Sequence, residues 1–262
     1  MKLQTGFSAL GALLPIAGVV AIYFGLGAGW SVLGIVSGVV GALMVVSYIV
    51  AAVSATSSFG EYMRGWLVGL NSALNTVLGF AIFSSFAGTA GGIIVGIAVG
   101  LLNLLCVFAP ISRSGFFQGV VGWANWLLPM SWPIVALGFL FYLFSFLLHA
   151  VTVGKVAYLK VQDLGADWKT GTLFIKGGLV ANLNYLDTAF NMGNFSFVDY
   201  KSGDWHKEHE AGHTLNLAAF GFVFHLVGAL DENVFRGANA YSERLAESNS
   251  SGDGGSNIPM WA

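Results

Sequence analysis

Long apolar stretches separated by short breaks make up most of the first half of the chain. Each stretch is close to the roughly 20 residues that a helix needs to cross the hydrocarbon core of a bilayer. The pattern therefore predicts a transmembrane helical domain over residues 1–152. The apolar runs lie at about 7–27, 31–55, 66–86, 91–109 and 132–152.

A weaker apolar run, residues 115–130 (GFFQGVVGWANWLLPM), is short for a membrane span. Together with the run at 132–152 it predicts a helical hairpin that either spans the membrane or is re-entrant. Trp123, Trp126 and Trp132 near its tip suit the interface between lipid and water. The expected fold class is a multi-pass α-helical membrane protein with about six spans, or four spans plus a re-entrant hairpin.

The pattern changes after residue 152, where polar residues and turn formers become frequent. Short stretches rich in β-branched and aromatic residues within 171–200 predict two or three strands. A helix is predicted over about 205–228, polar for two turns and then apolar, and a second helix near 239–248. We expect residues 153–250 to form a small α+β domain, with the apolar run 214–230 buried in its core.

Residues 251–262 begin as a Gly/Ser-rich segment, which is typical of a flexible tail. Trp261 near its end is available to dock back on the small domain or on the membrane. We therefore expect a tail without regular structure, following the second helix of the α+β domain.

Composition and charge sharpen the division between the two halves. The chain is 56% hydrophobic and 9% charged, as expected for a membrane protein. Only four charged residues lie in 1–150, whereas twenty lie in the remaining 112 residues. The net charge of −2 gives no reason to expect nucleic acid as a partner.

The few basic residues near the apolar runs predict an orientation. If residues 115–152 enter the membrane and return, five basic residues fall on one side of the membrane. The positive-inside rule makes that side cytoplasmic. We thus expect an integral protein of a bacterial-type inner membrane with a cytoplasmic C-terminal domain. The absence of Asp, Glu, Lys or Arg deep within any predicted span argues against a transporter or channel. The basic residues are Lys2, Arg64, Arg113, Lys155 and Lys160.

The C-terminal half contains a concentration of metal-binding side chains. His209-Glu210-Ala211-Gly212-His213 reads H-E-x-x-H, and positions i and i+4 of a helix share one face. His209 and His213 would therefore present two imidazoles to one metal ion. Glu210 would act as general base on a metal-bound water. A catalytic zinc site has three protein ligands, so a third ligand is required.

Four residues are candidates for the third ligand. Glu243 ranks first, because 241–247 contains E-x-x-A-E on the second predicted helix, where Glu247 could orient a ligand. Glu232 in the intervening loop ranks second, and His206 at the helix start ranks third. His225 is expected to be excluded, because twelve residues of continuous helix would place it roughly 18 Å from His213.

H-E-x-G-H followed by a helix bearing E-x-x-A-D/E resembles the gluzincin metallopeptidases, in particular the minimal membrane-associated enzymes of the HtpX and CAAX-prenyl endopeptidase type. The resemblance covers about residues 185–250 and implies a zincin-like domain. It implies His209, His213 and Glu243 as Zn²⁺ ligands, Glu210 as the base and Glu247 as a residue that orients a ligand. The chain departs from the family in the short 30-residue gap between His213 and Glu243, and in Glu rather than Asp at 247.

The resemblance also implies an edge strand, just before the active-site helix, that holds an extended peptide by β-augmentation. Residues 190–198 (FNMGNFSFV) are placed to be that strand. Tyr241 or Arg244 is a possible helper for the oxyanion, although each is more simply a structural residue. The candidate substrate-strand residues are Phe190, Asn191, Gly193, Asn194 and Phe195.

Two functions follow as expectations. The first is a membrane-anchored, zinc-dependent endopeptidase that cleaves peptide bonds of membrane or misfolded proteins near the membrane surface. The alternative is a non-catalytic integral membrane subunit of a larger complex, in which a zinc-stapled zincin-like domain serves as a docking module. The partners are the lipid bilayer and either a protein or peptide substrate or other subunits. The intact set of metal-binding residues and base favours the endopeptidase.

Overall fold

The computed structural model describes residues 2–108, 113–183, 189–199, 206–250, 258, 260 and 261, with only the backbone of 2–5 and 206. Its helices are α1 (Lys2–Gly25), α2 (Trp30–Val53), α3 (Ser58–Leu104), α4 (Gly115–Ala124), α5 (Trp132–Val151), α6 (Leu179–Leu183), α7 (His206–Leu230) and α8 (Tyr241–Glu247). The strands are β1 (Val161–Asp167), β2 (Thr172–Gly177), β3 (Ala189–Met192) and β4 (Phe195–Val198). A π-helical turn, Asp231–Arg236, and a 3₁₀ turn, Gly237–Asn239, join α7 to α8.

Long apolar helices dominate the protein, as the sequence predicts. Five helical segments in the described residues are long and apolar enough to cross a membrane. This finding confirms a largely helical protein with a small added sheet, whose long apolar helices could span a membrane. The segments are Gly6–Gly25, Trp30–Val53, Ser58–Val107, Trp132–Val151 and Lys207–Asn239.

Helix α3 is a hairpin rather than one rod. Gly88 has φ 69° and ψ 177°, a backbone conformation that side chains with a Cβ rarely adopt, and it breaks the helix between residues 58–87 and 89–104. The second arm packs closely on the first: a Cβ on Gly96 would lie 2.7 Å from the Thr76 carbonyl oxygen. The predicted runs 66–86 and 91–109 therefore correspond to two packed arms joined at a glycine.

The hairpin predicted over 115–152 contains a short and a long helix. Helix α4 has 10 residues, whereas α5 has 20. The turn between them is tied into the interior: the Asn125 Nδ2 group donates to the Thr214 carbonyl at 3.0 Å, and the Met130 amide donates to Asn75 Oδ1 at 2.9 Å. These two bonds bury part of the turn, whereas Trp126 and Leu127 in the same turn are exposed.

The sheet has the strand order β1-β2-β4-β3, with β2 and β4 parallel and the other pairs antiparallel. The prediction of one substrate strand over 190–198 is wrong. Gly193, with φ 73°, turns the chain between β3 and β4, so the segment forms a hairpin with β3 at the sheet edge. Phe195 and Phe197 of β4 are buried against Ile134 and Val135 of α5.

Helix α7 departs from the single helix predicted over 205–228. It is broken at Gly221, which has φ 75° and ψ 179°. The break leaves carbonyl groups near the end of the first arm without their usual helical donors. Asn71 and Asn103 of α3 supply donors instead, with Asn71 Nδ2 3.0 Å from the Ala219 oxygen and Asn103 Nδ2 bonded to the Ala218 oxygen. Such a break inside an apolar bundle requires this satisfaction by polar side chains.

Most of the apolar part of α7 packs against the long helices, whereas Leu217 packs in a smaller cluster with the sheet and α5. Phe220 and Phe224 belong to the same buried cluster as Tyr48 of α2 and Leu70 of α3. Described residues of the segments 1–152 and 153–250 thus share one hydrophobic core. The two arms, 206–220 and 222–230, have 15 and 9 residues, which is less than either would need to span a bilayer alone.

The described residues at the end of the chain are docked on the rest of the protein. Ile258, Met260 and Trp261 are buried, whereas 251–257 lie outside the described residues. Trp261 Nε1 donates to Asn216 Oδ1 at 3.0 Å, and Gln118 Nε2 donates to the Trp261 carbonyl at 2.7 Å. Trp261 therefore docks between α4 and α7, one of the two positions left open by the sequence.

Candidate metal centre

Three predicted ligands converge on one point. Among the described residues, His209, His213 and Glu243 form a group whose potential ligand atoms all lie within 4.8 Å of one another. The His209 and His213 Nε2 atoms are 3.2 Å apart. Glu243 Oε2 lies 3.0 Å from His209 Nε2, and Glu243 Oε1 lies 3.3 Å from His213 Nε2.

The spacing of these atoms suits a single tetrahedral ion. Ligands placed about 2.0–2.1 Å from zinc at tetrahedral angles lie about 3.3 Å from each other. The separation of the two histidine nitrogens, 3.2 Å, is close to that value, and each histidine nitrogen lies 3.0 or 3.3 Å from one of the two Glu243 oxygens. Two imidazole nitrogens and a carboxylate also form the donor set of a catalytic zinc site with three protein ligands.

Electrostatics favour the ionised form of Glu243. Burial favours the neutral form of Glu243, but the imidazoles of His213 and His209 outweigh this effect and hold the pKa of the carboxyl below its ordinary value. Both carboxylate oxygens are therefore available to accept from the histidines or to bind a cation.

Glu247 orients one of the histidines. Its Oε2 atom lies 2.8 Å from His209 Nδ1, while His209 Nε2 faces Glu243 and His213. A carboxylate on one ring nitrogen fixes the tautomer in which the other nitrogen offers its lone pair to a metal. The E-x-x-A-E pattern of α8 thus supplies a candidate ligand and, one turn later, a carboxylate placed to orient another candidate ligand.

A glycine in H-E-x-x-H allows α8 to approach this closely. A Cβ on Gly212 would lie 2.4 Å from the Ala246 carbonyl oxygen and 2.7 Å from its Cα. The second variable position of the motif and the Ala of E-x-x-A-E therefore meet backbone to backbone. This contact sets the distance at which Glu243 and Glu247 reach the histidines.

Hydrogen bonds join the motif to the sheet edge. Asn191 Nδ2 donates to the Glu210 carbonyl and to Thr214 Oγ1, both at 3.0 Å. Thr214 Oγ1 in turn donates to the Gly193 carbonyl at 2.7 Å. The first arm of α7 is thus held in a fixed position beside β3.

A cavity of about 270 Å³ opens onto the three ligands. Glu210, which is buried, lines it together with His209, His213 and Glu243. Phe190, Asn191 and Met192 of β3 form another part of its wall. Of the described residues that line the cavity, four are exposed, and none of these is charged: Leu137, Leu226, Ala229 and Asn233.

The predicted distance of roughly 18 Å between His225 and His213 is wrong. It assumes a continuous helix, whereas the break at Gly221 folds the second arm back, so the His213 and His225 ring centres are 6.5 Å apart. His225 lines the cavity, but its Nε2 atom bonds to the Asn191 carbonyl at 3.1 Å and it lies outside the ligand group. The glycine within the predicted helix was the signal that could have revealed this.

The remaining candidates occupy other positions. Glu232 lines the cavity but lies outside the ligand group, and the side chain of His206 is not described. Tyr241 is fully buried against Tyr48, and neither it nor Arg244 is among the described residues that line the cavity, so the oxyanion role predicted for them finds no support.

Only part of the predicted substrate strand faces the cavity. Phe190 and Asn191 line it. Gly193 lies in the turn between β3 and β4, and the side chain of Phe195 is buried between the sheet and α5. Asn194 is buried and donates to the Gly122 and Gly171 carbonyls, which makes it a structural residue.

Comparisons with protein-family models, with curated proteins and with solved structures find no match for this chain. The functional assignment consequently depends on the residues of the site and their geometry.

Proposed function

We propose that the protein is a membrane-anchored, zinc-dependent endopeptidase that cleaves membrane or misfolded proteins at the membrane. The observation that carries this proposal is the convergence of His209, His213 and Glu243 around one point, beside the buried carboxylate of Glu210. A purely structural zinc site is usually closed by four protein ligands, whereas three ligands opening onto a cavity leave a position for chemistry.

The donor set favours zinc over the hard cations. Mg²⁺ and Ca²⁺ prefer sites made of oxygen ligands, whereas two imidazoles and one carboxylate suit Zn²⁺. A bound zinc ion would supply a Lewis acid that polarises a peptide carbonyl and acidifies a water molecule. Glu210 would take the proton of the attacking water and deliver it to the leaving amine.

The cavity wall supports an extended peptide as the substrate. Strand β3 lies at the edge of the sheet and lines the cavity beside Glu210, so a peptide could align along it. The exposed mouth residues Leu137, Leu226 and Ala229 are apolar. We expect apolar residues to be favoured on either side of the scissile bond.

Within this proposal the membrane region has four spans, formed by α1, α2 and the two arms of α3, plus a re-entrant hairpin of α4 and α5. The 10 residues of α4 and the buried hydrogen bonds of Asn125 and Met130 in the following turn favour re-entrance over two full spans. The placement of Arg64, Lys155 and Lys160 favours a cytoplasmic site in a bacterial-type inner membrane.

Proteolysis by the purified protein tests the catalytic proposal. The wild type in detergent should cleave casein or a membrane-protein substrate, and a chelator should stop the reaction. Glu210→Gln should lower the rate of cleavage at least about 100-fold while zinc stays bound, because the variant loses the base and keeps the three ligands. Zinc retained in a wild type that cleaves no substrate would instead favour the non-catalytic membrane subunit.

A further inference from the structure

The helix that carries the third metal ligand does not cap its own start. Helix α8 begins at Tyr241 after Ala240, a residue without a capping side chain. The first amide groups of a helix have no partner within the helix and need acceptors from elsewhere. For α8, these acceptors come from distant parts of the chain.

Asp231 and Tyr48 supply the missing acceptors. The Tyr241 amide donates to Asp231 Oδ2 at 3.2 Å, and the Ser242 amide donates to the Tyr48 hydroxyl at 3.2 Å. The Tyr48 hydroxyl in turn donates to Asp231 Oδ2 at 2.7 Å. Arg236 Nε holds the other carboxylate oxygen of Asp231 at 2.8 Å.

Tyr48 belongs to α2, one of the apolar helices long enough to span a membrane. Its side chain is 1% exposed, and its ring makes edge-to-face contacts with Phe224 and Tyr241 at centroid distances of 5.0 and 5.5 Å. The packing fixes the ring, so the hydroxyl has one defined position at the start of α8.

The next residue after Ser242 is the ligand Glu243. A shift of the first turn of α8 would therefore move the carboxylate away from His209 and His213, which it now meets at 3.0 and 3.3 Å. Gly228 adds to the constraint, since a Cβ there would lie 2.6 Å from the Ser242 side chain.

We propose that Tyr48 is a positioning residue for the metal centre, through which helix α2 sets the place of Glu243. This inference rests on the proposed zinc site and extends it: α2 is part of the machinery that shapes the site as well as a membrane anchor. Changes at α2 would consequently alter zinc affinity without any change to a ligand.

The test compares two buried tyrosines in the full-length protein. Tyr48→Phe removes one hydroxyl and keeps the ring that packs on Phe224. Tyr23→Phe is the matched control, because Tyr23 is also buried in an apolar helix and its hydroxyl donates only to the Ala28 carbonyl, at 3.0 Å. Zinc affinity is measured by competition with a chromogenic chelator, and thermal unfolding is measured on the metal-free proteins.

Tyr48→Phe should weaken zinc binding about tenfold, as expected for loss of a group that positions a ligand, while Tyr23→Phe should bind like the wild type. If metal-free Tyr48→Phe melts close to metal-free Tyr23→Phe, the weaker zinc binding comes from the position of Glu243 and not from general destabilisation. If Tyr48→Phe does not fold, Asp231→Asn, which keeps the side-chain shape, should show the same loss of affinity.

Equal zinc affinity in the wild type and in Tyr48→Phe would overturn the inference, as would an equal loss in both tyrosine variants. A wild type that binds no zinc would instead contradict the proposed function on which the inference rests, so the two failures are distinguishable.

Discussion

At the scale of single residues, the sequence locates the chemistry well. The spacing of His209 and His213 predicts that they share a helix face, and E-x-x-A-E predicts Glu243 and Glu247 as their partners, which the structure brings within 3.3 Å of the histidines. Other residues that line the cavity were not predictable in the same way, because only tertiary folding brings them there. His225 is the clearest case, since its approach depends on a break at Gly221.

Glu247→Gln should lower zinc affinity by about 10–100-fold without removing a ligand, because a neutral amide orients His209 less well than a carboxylate. The measurement is the zinc dissociation constant in detergent, with Glu208→Gln as control, since Glu208 is exposed, precedes His209 in the sequence and is not part of the ligand group. Unchanged affinity in Glu247→Gln would contradict the role assigned to the bond with His209 Nδ1.

At the scale of elements, local periodicity predicted the helices but not their breaks. The apolar runs 66–86 and 91–109 correctly anticipated two packed arms, because a loss of hydrophobicity separates them. In α7 the apolar run continues through Gly221, and the break is held by Asn71 and Asn103, which are more than 100 residues away in sequence. Local periodicity could not predict the parallel pairing of β2 with β4 either, since that pairing is a non-local contact.

Gly212→Ala should displace α8, because its Cβ would overlap the backbone of Ala246 and backbone atoms cannot be moved by a rotamer change. We expect a destabilisation of about 1–3 kcal/mol together with weaker zinc binding. Gly18→Ala is the control, as a Cβ there meets nothing within 4 Å. Thermal unfolding and zinc titration of both variants would show whether the Gly212 contact matters; identical behaviour would argue against it.

Gly221→Ala should lower the melting temperature more than Gly27→Ala. Both glycines have positive φ, 75° and 105°, so both substitutions strain the backbone, but only at Gly221 would the Cβ also meet Asn71 Oδ1, at 2.3 Å. The comparison isolates the contact that supports the break of α7. Equal shifts in melting temperature for the two variants would show that the contact between Gly221 and Asn71 does not contribute to stability.

At the scale of the whole molecule, the predicted boundary near residue 152 is a boundary in composition more than in packing. Phe220 and Phe224 of α7 share a buried core with Tyr48 and Leu70 of the long helices. Charge and hydropathy along the chain could not predict this, because they report which residues tolerate lipid and not which helices pack together. The candidate metal centre is consequently built on a core that it shares with helices long enough to span a membrane.

A fragment of residues 153–262 expressed alone should therefore fail to hold zinc. Without α2 and α3, the buried phenylalanines of α7 would face solvent, and the carbonyls of Ala218 and Ala219 would lose the Asn71 and Asn103 donors. Gel filtration and zinc analysis of the fragment, with the full chain as reference, would check this. A monomeric fragment with full zinc occupancy would show that the two regions fold independently.

Metal analysis of the purified full-length protein tests the central claim most directly. The wild type should contain about one zinc ion per chain, and His213→Ala and Glu243→Ala should lose it, because each removes one of three ligands. Glu232→Ala should keep the zinc, since Glu232 lines the same cavity outside the ligand group. A wild type without bound metal, or full zinc retention in both ligand variants, would contradict the account.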